Sequence, residues 1–228
     1  MLRALLALLA LLAACVPPVE IPEEERARAS RELEGQIEYL EVAAYLSPFF
    51  GDERKLLLSD QPSRELDLLE TPSGEPILPP PPERVLLPGT RLKIIKVEFP
   101  TGFVIAGRML HTPRYHPWIY LALAGEERPV VIVLPQLVAN TEQARAELER
   151  LVSPSDPGPA FRALPDAQRA AIARKELLDG MSPRAVEMAW GYPEKKVIDR
   201  PSDTEAWTWA GGQRTAFFRG GRLALAPP

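Results

Sequence analysis

Few side chains in this sequence could do chemistry. The 228 residues hold one thiol, Cys15, and two imidazoles, His111 and His116. An unperturbed imidazole changes charge near neutrality, which makes these two the candidate bases and ligands. They flank Thr112-Pro113-Arg114-Tyr115, a turn-like stretch, with Trp118 and Tyr120 close behind. A zinc site needs three or four protein ligands, and no third one is identifiable beside this pair. A Gly-x-Ser-x-Gly elbow, a Gly-rich phosphate loop and a His-Glu-x-x-His helix are all missing from the sequence. Glu142, Glu147 and Glu149 look like one solvated helix face, and nothing selects a carboxylate pair for hydrolysis. The expectation is a protein without catalytic residues, cofactor or metal. Arg114, Trp118 and Tyr120 have the composition of an interface core and are candidate partner-binding residues. Alternation puts Trp118 and Tyr120 on one strand face, which suits a hydrophobic core equally well, and core packing is preferred.

The thiol has the more informative setting. Arg3 precedes an apolar stretch from Ala4 to Ala14, and Leu12-Ala13-Ala14 leads into Cys15. A cationic start, an apolar middle and small residues before a break make a secretory signal peptide. As a helix the apolar stretch would be about 16 Å long, roughly half of a bilayer core, and too short for a membrane span. The run resembles the lipobox of bacterial lipoproteins. That resemblance implies lipid attachment (acyl chains such as palmitate) on Cys15, removal of residues 1–14, and a chain hung from a membrane by its new N-terminus. Two acyl signals hold stably where one does not. In the family's sorting an Asp after the cysteine favours the inner membrane; Val16 stands there instead, which implies the outer membrane and its periplasmic face.

With 46% hydrophobic and 25% charged residues the composition is that of a globular protein. Lys and Arg number 27 against 31 Asp and Glu, a net charge of −4, which argues against nucleic acid as a partner. Once Cys15 carries lipid no thiol remains for a disulfide or a cysteine metal site.

Elements that could position these groups follow in chain order. Glu23-Glu24-Glu25 suits a helix N-terminus, and Leu33, Ile37, Leu40 and Ala44 fall at helical spacing. A tether helix is expected over about 23–46, with Gly35 as a weak point in its middle. From 48 to 136 short β-like runs are punctuated by turns. They are Leu56–Leu58, Leu66–Leu68, Arg84–Leu87, Leu92–Val97, Phe103–Ile105, Trp118–Leu121 and Val130–Leu134. Such spacing suggests a small antiparallel barrel. The Pro88-Gly89-Thr90 turn before Arg91 resembles the start of an SH3-like barrel. Pro79–Pro82 should form a stiff polyproline connection. Asn140 with Gln143 looks like a capping box, and Ser153–Pro159 should break all regular structure.

Beyond Pro165 the pattern is a helix to Leu178, a stop at Asp179-Gly180, and a restart with Ser182 as N-cap and Pro183 as first residue. Gly191-Tyr192-Pro193 ends the second helix. Strands should follow over 195–198, 205–210, 214–218 and 222–225, with Trp207 and Trp209 sharing one face of their strand and Leu223 and Leu225 one face of theirs. Gly180-Met181-Ser182, Val186, Gly191-Tyr192-Pro193, Trp207-Thr208-Trp209 and Phe217-Phe218-Arg219-Gly220-Gly221 resemble the SmpA/BamE-like lipoprotein domain. The resemblance covers about 165–228 and implies two helices on a three-stranded antiparallel sheet. It also implies an accessory role in outer-membrane β-barrel assembly, and makes Met181 and Tyr192 partner-binding candidates. Ser182 replaces the usual Thr and keeps its capping chemistry. The β-rich region has no counterpart in the best-known members.

The expected architecture is α+β, a small antiparallel β-barrel-like domain and then a helix-helix-sheet domain. Its parts are a signal peptide (1–14), a lipid-anchored tether and helix (15–47), an SH3-like region (48–136), a helix and Pro-rich linker (137–164), and the SmpA/BamE-like domain (165–228). The expected function is non-catalytic binding or assembly in the cell envelope, with the membrane and an envelope protein as partners. Peptidoglycan binding through the SH3-like region is the alternative, and an envelope hydrolase the weakest one.

Overall fold

The computed structural model describes residues 21–225. The signal run, Cys15 and Val16 lie outside the described residues. The fold is α+β, with an eight-stranded curled sheet and a four-stranded sheet.

Helix α1 spans Glu23–Leu33 and starts on its three acids. It buries Ala29 and Leu33 and ends far short of residue 46. Gly35 takes φ +86 and donates its N–H to the Ile94 carbonyl at 2.8 Å. This hydrogen bond turns the chain into β1 (Ile37–Leu40), which pairs with β5 (Arg91–Glu98). The expected helix over 34–46 is therefore replaced by β1 and the start of β2 (Ala44–Phe49). Leu40 and Ala44 are buried as that helix required, but the cross-strand partner, distant in sequence, decides the conformation.

β3 (Asp52–Ser59) returns beside β2, and β4 (Arg84–Leu86) closes the other side. The β2–β3 pairing shifts register between Pro48 and Phe49, and the Phe49 ring stands 4.8 Å from that of Trp118. Phe103–Ile105 is not a strand. Thr101 caps Val104 N–H there and starts the short helix α2 (Gly102–Gly107). Leu66–Leu68 is not a strand either; it follows a 3₁₀ turn at Ser63–Glu65 and packs on the Trp118 side of the sheet. β6 (Trp118–Leu123) and β7 (Val130–Val133) form a hairpin, and β7 runs parallel to β3.

Asn140 caps α3 (Thr141–Leu148), accepting from Gln143 N–H, while the Gln143 side chain accepts from Ala139 N–H. β8 (Val152–Ser153) pairs with β1, and α4 begins at Gly158 and runs to Arg162. The expected break at 153–159 is thus bound into the fold at both ends. Gly158 lies so close to Gly89 that a Cβ on Gly89 would sit 2.6 Å from its Cα.

The sheet order is β4-β2-β3-β7-β6-β5-β1-β8, so strands from 37 to 153 belong to it, wider than the expected 48–136. α1 and α3 cover one face over a core that includes Leu40, Leu56, Ile94, Ile119 and Leu121. A smaller core on the other face holds Phe49, Phe50, Leu57, Trp118 and Val131.

The C-terminal unit holds α5 (Asp166–Ala173), α6 (Pro183–Trp190) and strands β9 (Lys195–Asp199), β10 (Thr204–Trp209), β11 (Arg214–Arg219) and β12 (Arg222–Ala224). α5 stops at Ala173, not Leu178, because Lys175 adopts φ +58. Ser182 caps α6 through Ala185 N–H, and Gly191 ends it at φ +86. Trp207, Trp209, Ala216, Phe218 and Leu223 form the core with α6, whereas Leu225 is exposed and does not share the burial of Leu223. Ala43 belongs to this second core, and Val85 and Leu87 of the first unit pack against it. The two units are joined by apolar packing as well as by chain.

Candidate functional site

A cleft of about 1110 Å³ opens where the two units meet. One wall comes from the end of β3 and the loop after it, including Asp60, Glu65 and Asp67. A second comes from Arg114–His116 and the chain leaving β7, Leu134–Leu137. α3 adds Glu147, the turn after it Arg150, and the C-terminal unit adds Tyr192, Glu194, Trp209 and Gln213.

Buried polar contacts fix the width of this cleft. Lys175 Nζ donates to the Ala43 carbonyl at 2.6 Å, and Ala43 N–H donates to the Met188 carbonyl at 2.7 Å. Arg214 Nε donates to Glu65 Oε2 at 2.7 Å; the Glu65 side chain is almost fully enclosed, and the guanidinium lies 4.8 Å over the Trp190 ring. The carboxylate of Asp60 sits where a side chain on Gly191 would go, 2.1 Å from the position of its Cβ. Burial pushes the Lys175 ammonium down to about 7 against the partial support of Asp60, and burial pushes the Asp60 carboxyl up. Arg184 adds an ion pair with Glu41 across the units and donates to the Tyr192 hydroxyl at 3.1 Å.

A second polar cluster holds the loop between β5 and β6. Arg108 is buried and donates to Glu98 Oε1 at 2.8 Å, the Arg114 carbonyl at 2.9 Å and the His116 carbonyl at 2.7 Å. Its guanidinium lies 3.6 Å over the Trp118 ring. Burial raises Glu98, but hydrogen bonds from Lys96 and Arg108 outweigh it and leave the carboxylate below its usual range. Tyr120 donates to Glu98 Oε1 at 3.3 Å, and burial moves its hydroxyl well up.

The sequence-derived candidates separate cleanly. Met181 and Trp118 are buried, the first against α6 and the second under Phe49, so neither offers a contact surface. Tyr120 belongs to the Glu98 cluster rather than the cleft. Tyr192 and Arg114 do line the cleft. The imidazoles occupy different surroundings. His111 is exposed beside Gly51, and His116 lines the cleft with Nδ1 2.8 Å from the Leu134 carbonyl. A carbonyl only accepts, so Nδ1 carries the proton. Burial lowers the His116 imidazole below its ordinary value, which keeps the ring neutral at pH 7. Among the described residues no group of three His, Cys, Asp or Glu side chains could hold a metal ion.

Asp60, Glu65, Lys175 and Arg214 escaped sequence reasoning. The bonded partners lie 132 and 149 residues apart, beyond any local pattern. Chemically the cleft is mixed, with leucines and Trp209 beside a surplus of carboxylates over Arg114 and Arg150. It suits an apolar segment carrying basic groups better than an anion.

The chain matches no family model, no curated protein and no solved structure.

Proposed function

We propose that the chain is a lipid-anchored envelope lipoprotein that binds a partner protein segment in the cleft between its two units, as a non-catalytic assembly accessory. Support for the anchor comes from Cys15, the chain's only cysteine, placed at the end of an export signal. Support for binding comes from one observation. The cleft is preformed, because its walls are tied by the Lys175, Arg214 and Ala43 contacts, and pre-organisation lowers the cost of binding. The helix-helix-sheet arrangement and the quoted motif residues support an SmpA/BamE-like reading of the C-terminal unit, hence a role at the outer membrane.

Removing the C-terminal unit would bare Ala43 and strand Glu65 without Arg214, so the test uses point changes. A photo-crosslinking residue replaces Gln136 or Gln213 on the cleft, or Glu127 on the β6–β7 turn, in intact envelopes. The proposal expects one shared protein adduct at 136 and 213, none at 127, and loss of it with D67K/E70K. Adducts of equal strength at 127, or none at the cleft positions, would defeat it.

A further inference from the structure

The ends of three adjacent strands carry an exposed apolar surface that no contact inside the molecule explains. β5 ends at Glu98, β6 begins at Trp118 and β7 ends at Val133, and antiparallel pairing of Glu98 with Trp118 and of Trp118 with Val133 puts these ends side by side. The segments leaving them bear Phe103 at 91% exposure, Leu110 at 79% and Leu137 at 81%. Single exposed leucines are ordinary on protein surfaces; three large side chains this open at one end of a sheet are not.

This surface is held out rather than loose. Ile105 and Thr112 are buried on either side of Arg108, whose bonds to Glu98 and to the Arg114 and His116 carbonyls clamp the loop. Leu134 and Val138 are buried on both sides of Leu137, and Val138 N–H closes a turn on the Pro135 carbonyl. Phe103, Leu110 and Leu137 face outward because their neighbours are fixed inward.

The N-terminus of the described chain leaves from the same end. Ile21 packs in the core with Leu134 and Val138, and the Glu25 carbonyl and carboxylate accept from Thr141 at the start of α3, just past Leu137. Five residues lie between Cys15 and Ile21, six steps along the chain. At 3.3–3.6 Å per step they span at most about 22 Å, so a lipid on Cys15 enters its bilayer close to this surface.

We infer that Phe103, Leu110 and Leu137 sit in the interface of the membrane that holds the Cys15 lipid, giving the protein a second contact and a fixed orientation. The inference rests on the lipoprotein reading. Glu23, Glu24 and Glu25 lie at the same end, so the contact is apolar and does not depend on anionic lipid.

The test uses the full chain, processed by a lipoprotein-exporting host and reconstituted in phosphatidylcholine vesicles. Acylated Cys15 leaves an introduced thiol unique, so Leu110→Cys, or Glu127→Cys on the turn at the opposite end of β6 and β7, takes a polarity-sensitive fluorophore. Expected is several-fold stronger quenching by nitroxide lipid at 110 than at 127, the reverse with aqueous iodide, and no change in high salt. Phe103→Ser added to the Leu110→Cys chain should weaken the shielding several-fold, which insertion driven by the probe alone would not do. Equal iodide quenching at both positions, on vesicles that retain the acylated protein, overturns the membrane contact and leaves the anchor standing. Absence of acyl mass on Cys15 overturns both.

Discussion

Lys175→Met should remove most of the pH dependence of stability between pH 7 and 10. The ammonium is buried, bonded to the Ala43 carbonyl and faced by Asp60, Glu65 and Arg214 from the neighbouring elements. Burial lowers it from an ordinary 10.5 to about 7. Between these values the folded chain holds a neutral amine while the unfolded chain stays protonated. The unfolded state then binds more protons, so unfolding free energy rises with pH across the window. At about 1.4 kcal/mol per unit, and allowing for partial titration at both ends, the gain from pH 7 to pH 10 is on the order of 3 kcal/mol. Below pH 7 both states are protonated and this contribution is flat. Above pH 10 the trend reverses, because burial also raises Tyr45 and Tyr120, which then ionise first in the unfolded chain. Urea unfolding of a chain lacking residues 1–14 and carrying Cys15→Ser, followed at pH 7, 8.5 and 10, reads the effect. Wild type should gain stability across the series, and the Lys175→Met chain should stay nearly level, about 1 kcal/mol below wild type at pH 10, where the amine is neutral and only the unpaired Ala43 carbonyl counts, and above it at pH 7. A wild-type midpoint that falls with pH, or an equal slope in both chains, would refute the buried-amine account.

Two further outcomes test how the units are joined. Arg214→Met leaves the enclosed Glu65 carboxylate with only the exposed Arg64 guanidinium, 3.8 Å away, and should cost about 2–4 kcal/mol in urea unfolding, most of it recovered in the double variant R214M/E65L. An unchanged midpoint in the single variant would mean that the pair carries no stability. Gly191→Ala should destabilise by about 1–3 kcal/mol from its backbone alone, since φ +86 with ψ −179 is a region glycine occupies almost exclusively, plus the cost of displacing Asp60 from the new methyl. The same change beside Asp60→Ala, where the new methyl meets no carboxylate, measures the backbone cost by itself; equal losses in both backgrounds would argue against the Asp60 contact.

Local signals were legible in the sequence, and partners distant along the chain were not. Asn140 and Ser182 cap α3 and α6 as their spacing suggests, because a cap needs only the next three residues. Gly191 ends α6 and the aromatic strand β10 lies where alternation puts it, for the same reason. The stretch from Glu34 to Leu46 deceived, since Leu33, Ile37, Leu40 and Ala44 satisfy helical spacing, whereas β1 and β2 exist only because β5 and β3 lie beside them. Phe103–Ile105 deceived in the other sense: an apolar triplet looks like a strand until Thr101 caps it as α2. Of the candidate site, Arg114, Tyr192 and His116 were visible as residue types. The cleft they line depends on Asp60, Glu65, Lys175 and Arg214, whose importance comes entirely from tertiary contact.

The inferred membrane contact and the proposed binding cleft constrain one another. Leu137 belongs to both, for it lines the cleft and stands at the apolar end. Tyr115, nearly half exposed, likewise lines the cleft and belongs to the loop that carries Leu110. A protein oriented by Phe103 and Leu110 would therefore hold its cleft against the bilayer, not out toward bulk solvent. The segment it takes would have to lie near the membrane surface. Carboxylates in the cleft and at Glu23–Glu25 would repel anionic headgroups from that space while attracting the basic residues of a partner. Anchor, apolar end and acidic cleft together would favour a membrane-proximal protein segment over a freely diffusing ligand, which is the circumstance in which a lipid tether adds effective concentration.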